Sequence, residues 1–224
     1  MDVTKAIQER KSIRGYKQDP IPKQVLTEIL DLSRFSPSAL NAQPWEFLVL
    51  TGDSLERAKK ENLECYAAGM EIASYVAEYT LTGVYRDRQV QLAKDLFQLM
   101  GIAREDKQKR QDLMRRGLRF FDAPAVILVC MDRSVYDGTS NLMSLADIGV
   151  VTQTIALLAV ERGLGTCIQF QAAWYPDALR KAVGLPYGKE VILGLAIGYP
   201  DWEYPANRIQ AQREPLDSLV TWRD

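Results

Sequence analysis

Short apolar runs along the chain predict four buried strands. The run after Pro124 is the clearest, because it is continuous and rich in β-branched side chains. The run that begins at Glu46 is ended by Gly52 and Asp53, which favour a turn. The predicted strands are residues 46–51, 125–131, 166–170 and 191–198.

A helical spacing of apolar residues predicts the other elements. Within residues 23–35, Val25, Ile29 and Leu32 recur close to the 3.6-residue period, and Pro22 fits the start of a helix. Further helices are predicted at residues 3–10, from Ser54 onward, within 64–119, at 141–162 and at 176–183.

The helix predicted at residues 141–162 differs from the others in its composition. It is apolar on nearly all sides over residues 148–160, so we expect it to lie at the centre of the fold. Gly163 would end it, since a glycine just past a helix accepts the left-handed conformation there.

The order of these elements predicts the fold class. Helices and strands mix without strict βαβ alternation, which favours an α+β fold over a doubly wound parallel sheet. No linker, repeat or low-complexity segment interrupts residues 1–224, so we expect one domain.

Composition and charge are those of an ordinary soluble protein. The 224 residues are 47% hydrophobic and 25% charged, and 28 basic against 29 acidic side chains leave a net charge of −1. Residues 1–14 lack the apolar core of a secretory signal, and the runs at 126–131 and 155–160 are far shorter than the roughly 20 residues of a membrane span. We expect a cytoplasmic protein without a nucleic-acid or membrane partner.

The chemistry of the side chains points towards a cofactor. The chain has no histidine, which removes Ser-His and Cys-His nucleophiles and the usual zinc ligands. Cys65, Cys130 and Cys167 are widely spaced, and we expect Cys130 and Cys167 to be buried thiols. No metal site is expected, and no side chain is predicted to carry the reaction itself.

A basic segment near the N-terminus suits a phosphate. Arg10, Ser12 and Arg14, with Lys11 between them, put cations and a hydroxyl within a few residues. Arginine binds phosphate through paired hydrogen bonds and keeps its charge at any relevant pH. If a helix ends near Arg10, these side chains can converge on one anion. The alternative is a solvated basic helix end.

Residues 36–45 form a polar segment without charge. Pro37 and Pro44 restrict the residues before them, so the segment cannot be a continuous helix. Asn41 and Gln43 carry donors and acceptors that match the polar edge of a flat ligand. The alternative is an ordinary helix-to-strand loop.

Together these segments resemble the FMN-dependent nitroreductase family. Its Arg-x-Ser-x-Arg/Lys motif matches Arg10, Ser12 and Arg14. Its Ser-Pro-Ser-x-x-Asn-x-Gln-Pro-Trp loop matches residues 36–45, and its Arg-x-Pro-Leu motif matches 213–216. The likeness continues through residues 121–124, 163–166 and 197–200, and it covers nearly the whole chain apart from 64–115.

The resemblance implies a nitroreductase-like fold with a central mixed or antiparallel sheet flanked by helices, in an intertwined homodimer with FMN at the interface. It implies a phosphate and ribityl site at Arg10, Lys11, Ser12, Arg14 and Arg213. The flavin ring would lie against Pro37, Ser38, Ala39 and Asn41 of one subunit and Gly163, Leu164, Gly165 and Gln169 of the other. Arg119 would lie beside the N1–O2 edge, with Arg116 as the alternative.

The implied activity is hydride transfer from NADH or NADPH through flavin N5 to a small aromatic acceptor, such as a nitroaromatic compound. Reductive dehalogenation, enoyl reduction, dehydrogenation or FMN binding without turnover are alternatives on the same scaffold.

Residues 64–115 depart most from the family pattern, so we expect a helical insertion that forms the wall of the substrate site. Aromatic and methionine side chains there could line a pocket, although at helical spacing they could equally belong to the core: Met70, Tyr75, Tyr79, Tyr85, Phe97 and Met100. Mixed charges over residues 105–116 favour a solvated helix face over an anion site.

Overall fold

The computed structural model of the chain describes residues 1–73, 79–135 and 142–223. Tyr75 and the predicted helix start at Asn141 lie outside these ranges. The described residues form four strands, β1 (Glu46–Thr51), β2 (Ala125–Asp132), β3 (Gly165–Gln169) and β4 (Lys189–Gly198). They also form seven helices, α1 (Val3–Glu9), α2 (Lys23–Ser33), α3 (Gly52–Ala67), α4 (Gly83–Leu99), α5 (Lys107–Leu118), α6 (Leu142–Glu161) and α7 (Pro176–Val183).

The four strands form one sheet in the order β1-β2-β4-β3, and every neighbouring pair is antiparallel. Leu48 of β1 lies opposite Leu128 of β2, which in turn lies opposite Gly194 of β4. The predicted α+β class with a helix-flanked central sheet is therefore confirmed, and the sheet is antiparallel rather than mixed.

Helices cover both faces of the sheet, which explains the uninterrupted apolar run of β2. On one face, Val126 and Leu128 pack with Leu55 of α3 and Leu179 of α7. On the other, Ile127 packs in a cluster with residues of α2 and α6 that includes Leu26, Ile29, Ile148, Val151 and Ile155. Burial on two faces removes the polar alternation that a half-exposed strand would show.

The start of α3 and the long helical stretch differ from their predictions. The helix begins at Gly52 rather than Ser54, because the Thr51 backbone N–H donates to Ser54 Oγ at 3.3 Å in a capping box. In the stretch predicted within 64–119, the described residues form the end of α3 and two separate helices, α4 and α5. Gly69 and Gly101, both with positive φ, follow the ends of α3 and α4.

Helix α6 packs against the sheet in the core, in agreement with its predicted central place, but its N-terminal part is exposed on one side. Ile148, Val151 and Ile155 face the sheet and are buried, whereas Leu142 is 74% exposed and Met143 65% exposed. Among the described helices, α6 alone is long and apolar enough to cross a membrane, although its uninterrupted apolar runs are short. Its buried face packs in the core, as in a central helix of a soluble protein.

The buried thiols are where the sequence places them. Cys130 is 1% exposed and Cys167 4% exposed, and Cys65 is buried as well. Burial raises the pKa of Cys130 to about 12, so this thiol is a packing residue rather than a nucleophile.

Candidate functional site

The basic segment predicted to bind an anion lies along the edge of the sheet. Helix α1 ends at Glu9, and the chain then runs beside β3, where the backbone N–H of Ile13 donates to the Thr166 carbonyl at 2.9 Å. A Cβ on Gly165 would overlap the Ile13 side chain, so the segment and the strand approach as closely as glycine allows.

A cleft of about 370 Å³ opens at this junction. We call it the cation cleft, because Arg10, Lys11, Arg14 and Arg213 line it together with Ser12. The structure thus brings together the five residues that the sequence assigned to a phosphate, including Arg213 from the far end of the chain. The remaining walls come from α1, α4 and residues 199–223, which we call the C-terminal arm: Ile7, Gln8, Leu92, Ile209, Gln210 and Ala211.

The charge in the cation cleft is not compensated. Among the described residues, no carboxylate forms an ion pair with Arg10, Lys11, Arg14 or Arg213. The pKa of Arg10 lies below its ordinary value, chiefly because the side chain is partly buried and secondly because Arg213 carries a like charge nearby. Such a site favours an anion of more than one charge.

The cations of the cleft differ in how many of their hydrogen-bond donors the protein itself already uses. Lys11 Nζ donates to the carbonyls of Asn207 at 3.1 Å and Ile209 at 3.3 Å, so it also braces the C-terminal arm. Arg14 Nη1 donates to the Ser12 carbonyl at 3.3 Å, whereas Arg213 Nη1 donates to its own segment, at 2.9 Å to Ala211. Both guanidinium groups keep further donors for a ligand.

The polar loop at residues 36–45 does not line the cation cleft of the same chain. Its Ala39 N–H donates to both carboxylate oxygens of Asp147 on α6, at 3.2 Å each, and Ser36 Oγ donates to Thr154 Oγ1 at 2.9 Å. Asn41 has φ +57° and is exposed. Pro37 and Ser38 belong to the same outward-facing loop.

The turn into β3 is formed as predicted. Gly163 has φ +71°, and the Leu164 N–H donates to the Ala159 carbonyl at 2.9 Å, which ends α6. At the other end of β3, Gln169 is 4% exposed and donates from Nε2 to the Gly117 carbonyl at 2.9 Å. Gln169 Oε1 is buried and has no partner among the described residues.

Arg119 and Arg116, the two candidates for the edge of the flavin ring, have different hydrogen-bond partners. Arg119 forms a bidentate pair with Asp122, with Nε to Oδ1 at 2.7 Å and Nη2 to Oδ2 at 3.0 Å. Arg116 lies nearer the basic segment, because its Nη2 is 3.5 Å from the Arg14 carbonyl and its guanidinium is 4.5 Å from the Tyr204 ring centroid. The role of Arg119 beside a flavin stays a prediction, and this geometry favours Arg116.

A model of the nitroreductase family matches residues 7–199 of the chain. The chain belongs to the nitroreductase family.

Curated relatives and solved structures extend the likeness over nearly the whole chain. Chloronitrobenzene nitroreductase of Comamonas testosteroni is 31% identical, with 96% of this chain and 94% of that protein covered. Nitrobenzene nitroreductase of Ectopseudomonas oleovorans is 30% identical over the same shares. The crystal structure of an FMN- and NADPH-dependent nitroreductase, NfnB of sphigopyxis sp. strain HMH, covers all of both chains with a TM-score of 0.92 and 29% identity.

The cation cleft of this nitroreductase suits the single phosphate of FMN. Three arginines and a serine hydroxyl supply donors, and no carboxylate of the described residues competes for the arginines. Sequence reasoning missed Leu92 of α4 and the 209–211 wall, which carry no motif. The signal for the 209–211 wall is that it ends two residues before Arg213.

Proposed function

We propose that this protein is a cytoplasmic, homodimeric oxidoreductase that uses FMN and NADH or NADPH to reduce nitroaromatic or related aromatic compounds. The names and cofactors of its relatives support this function. The single observation in the chain itself that carries it is the cation cleft, where cations gather without carboxylates. We further propose that residues 1–224 act as one domain, since the two core clusters lie on opposite faces of one sheet.

Within this proposal, Arg10, Arg14 and Arg213 bind the phosphate and Ser12 supplies a hydroxyl. Lys11 contributes charge while its ammonium braces the carbonyls of the C-terminal arm. When bound, FMN supplies the hydride chemistry at N5, which the chain's own side chains cannot provide. The protein's part is to hold the cofactor, shape the acceptor site and stabilise developing negative charge.

We place the turn at Gly163, Leu164, Gly165 and Gln169 against the polar edge of the ring. Gly165 holds this turn close to the basic segment, because a Cβ there would overlap the side chains of Ile13 and Pro200. Arg116 or Arg119 would stabilise negative charge on the reduced ring. Arg116 is the better placed of the two, since Asp122 accepts two hydrogen bonds from Arg119 but lies 3.8 Å from Arg116 Nη2, which is also 3.5 Å from the Arg14 carbonyl.

A homodimer would explain two otherwise uncovered surfaces. Leu142, Met143 and Val150 leave an exposed apolar face on α6, and Leu40, at the tip of the 36–45 loop, is 99% exposed. A second copy packed on α6 would cover this face and bring Pro37, Ser38, Ala39 and Asn41 of one subunit to the site of the other. Sedimentation should find a dimer, and a stable monomer that retains FMN would refute this part.

The wall of the substrate site would come from residues 64–115. Helix α4 supports this assignment, because it has no buried residue although its Leu92 lines the cation cleft. A groove of about 810 Å³ between α4 and the C-terminal arm continues from the cleft. Its lining combines the apolar side chains of Val84, Tyr85 and Leu219 with polar and charged ones such as Gln91, Arg88 and Glu214. Such a groove suits a flat aromatic compound.

The test has two steps on the purified protein. Heat or acid should release FMN rather than FAD, since the cation cleft provides one phosphate site. In stopped flow, NADH or NADPH should bleach the flavin absorbance, and a nitroaromatic compound should restore it. A flavin that is bound but never reduced would instead support a binding protein, and recovery of FAD would contradict the assignment of the cleft.

A further inference from the structure

Asn207 joins the two segments that form the cation cleft. It lies in the C-terminal arm and is fully buried, at 0% exposure. Both its amide oxygen and its amide nitrogen form hydrogen bonds with backbone groups. Its Oδ1 accepts from the backbone N–H of Arg14 at 2.7 Å and of Gly15 at 3.2 Å. Its Nδ2 donates to the carbonyls of Gly15 at 2.7 Å and Asp201 at 2.7 Å.

The backbone of the same residue adds a further connection. The Asn207 carbonyl accepts from Lys11 Nζ at 3.1 Å, so two residues of the basic segment depend on one position in the arm. The Tyr204 ring packs so closely on Gly15 that a Cβ there would overlap it, so the segment meets the arm at Gly15 as well. Movement of Asn207 would therefore move Arg14 relative to Arg213.

We propose that Asn207 is a positioning residue for the phosphate site, setting the separation of Arg14 and Arg213. The inference rests on the proposed function, because it takes the anion of the cation cleft to be the phosphate of FMN. Arg14 belongs to the segment beside β3, whereas Arg213 follows Asn207 in a part of the arm without helix or strand. Lys11 and the Tyr204 ring also join the segment to the arm, but Asn207 joins it at the backbone of Arg14 itself.

Only an asparagine fits this set of partners. The side chain must accept hydrogen bonds from two backbone N–H groups and donate to two backbone carbonyls. Because the site is buried, water cannot take the place of a lost partner. Aspartate would keep the acceptor and lose the donor, while leucine would lose both. Glutamine would need room for a further methylene in a site with no exposed surface.

The test compares FMN with riboflavin, which has the same ring and ribityl chain but no phosphate. In Asn207→Ala we expect the preference of the apoprotein for FMN over riboflavin to fall about tenfold, because the arginines no longer act on one phosphate together. The matched control is Asn62→Ala. Asn62 is also fully buried, but it lies on α3, donates to the Leu118 carbonyl at 3.1 Å and does not line the cleft.

The control should lose stability in urea without changing the FMN preference. If Asn207→Ala keeps the wild-type preference, or if Asn62→Ala loses it equally, Asn207 is a residue of the fold and the inference is wrong. If wild-type apoprotein binds neither flavin, the proposed function fails instead, so the two failures are distinct.

A second variant covers the case in which Asn207→Ala does not fold. Asn207→Asp keeps the shape and the acceptor, and it adds a negative charge next to the Arg14 backbone. We expect it to lower the FMN preference further than alanine does. In an Arg14→Gln background, Asn207→Asp should change the preference less than in the wild type, because it acts through Arg14. Equal changes in both backgrounds, or failure of both Asn207 variants to fold, would overturn the proposal.

Discussion

Two groups of positive side chains lie on this molecule, and they differ in whether carboxylates accompany them. In the cation cleft, Arg10 and Arg213 face each other without a carboxylate of the described residues, and the pKa of Arg10 is lowered. Along α5 and the turn after it, Arg115 pairs with Asp112 and Arg119 with Asp122. Hydrogen bonds to Asp122 raise the pKa of Arg119 above its ordinary value.

The comparison shows that the number of cations does not identify an anion site. Helix α5 is as basic as the cleft, yet its exposed Lys109 and Arg115 pair with Asp106 and Asp112. This outcome agrees with the prediction of a solvated face for residues 105–116. In the cleft the protein has assembled like charges, at a cost in stability, and a bound dianion would offset that cost.

The largest effect should come from removing a cleft arginine. Arg14→Ala or Arg213→Ala should each weaken FMN binding by about 1.5–3 kcal/mol, the range for hydrogen bonds to charged groups. Quenching of flavin fluorescence measures the affinity, and Arg115→Ala on α5 is the matched control, with no change expected. Unchanged affinity in both cleft variants would remove the phosphate assignment.

A smaller effect should appear with pH. A phosphate monoester loses its second proton near pH 6, so its charge doubles as pH rises through that value. FMN affinity should therefore increase from about pH 5 to pH 7.5, whereas riboflavin affinity should stay flat over the same range. A flat FMN profile would mean that the cations of the cleft do not sense the phosphate charge.

The smallest effect is the change in stability of the apoprotein when an arginine is replaced, and its sign should differ between the cation cleft and the turn after α5. A base whose pKa is lowered in the fold holds its charge less favourably there than in the unfolded chain. Arg10→Gln should therefore raise the free energy of unfolding slightly, whereas Arg119→Gln should lower it by about 0.5–1 kcal/mol, since Asp122 loses its partner. Urea denaturation without flavin measures both. The same sign in both variants would contradict the comparison.

Much of the fold could be predicted because local signals agree with the tertiary structure. The bounds of β1 and α7 match their predictions, and β2 was recognisable because burial on both faces gives a continuous apolar run. The sequence does not show that one side of α6 is buried and the other exposed. A helix face that packs on the sheet and one that remains exposed on a single chain are both apolar, so periodicity cannot separate them.

The candidate site could be predicted where a motif carries charge. Arg10, Ser12, Arg14 and Arg213 meet in the cleft, although 199 residues separate Arg14 from Arg213 in the numbering. Lys11, which the motif predicts as a ligand residue, also donates to two carbonyls of the C-terminal arm, and no sequence pattern points to Asn207. One asparagine in an irregular arm gives no pattern, because its role depends on backbone groups that the fold brings to it.

Titration of apoprotein with FMN and with riboflavin, by calorimetry at one salt concentration, tests the central claim most directly. The two ligands differ only in the phosphate that the cation cleft is proposed to bind. If two or more arginine contacts act on that phosphate, FMN should bind about 100-fold more tightly than riboflavin or better. Equal affinities would contradict the account, because the uncompensated cations would then have no part in holding the cofactor.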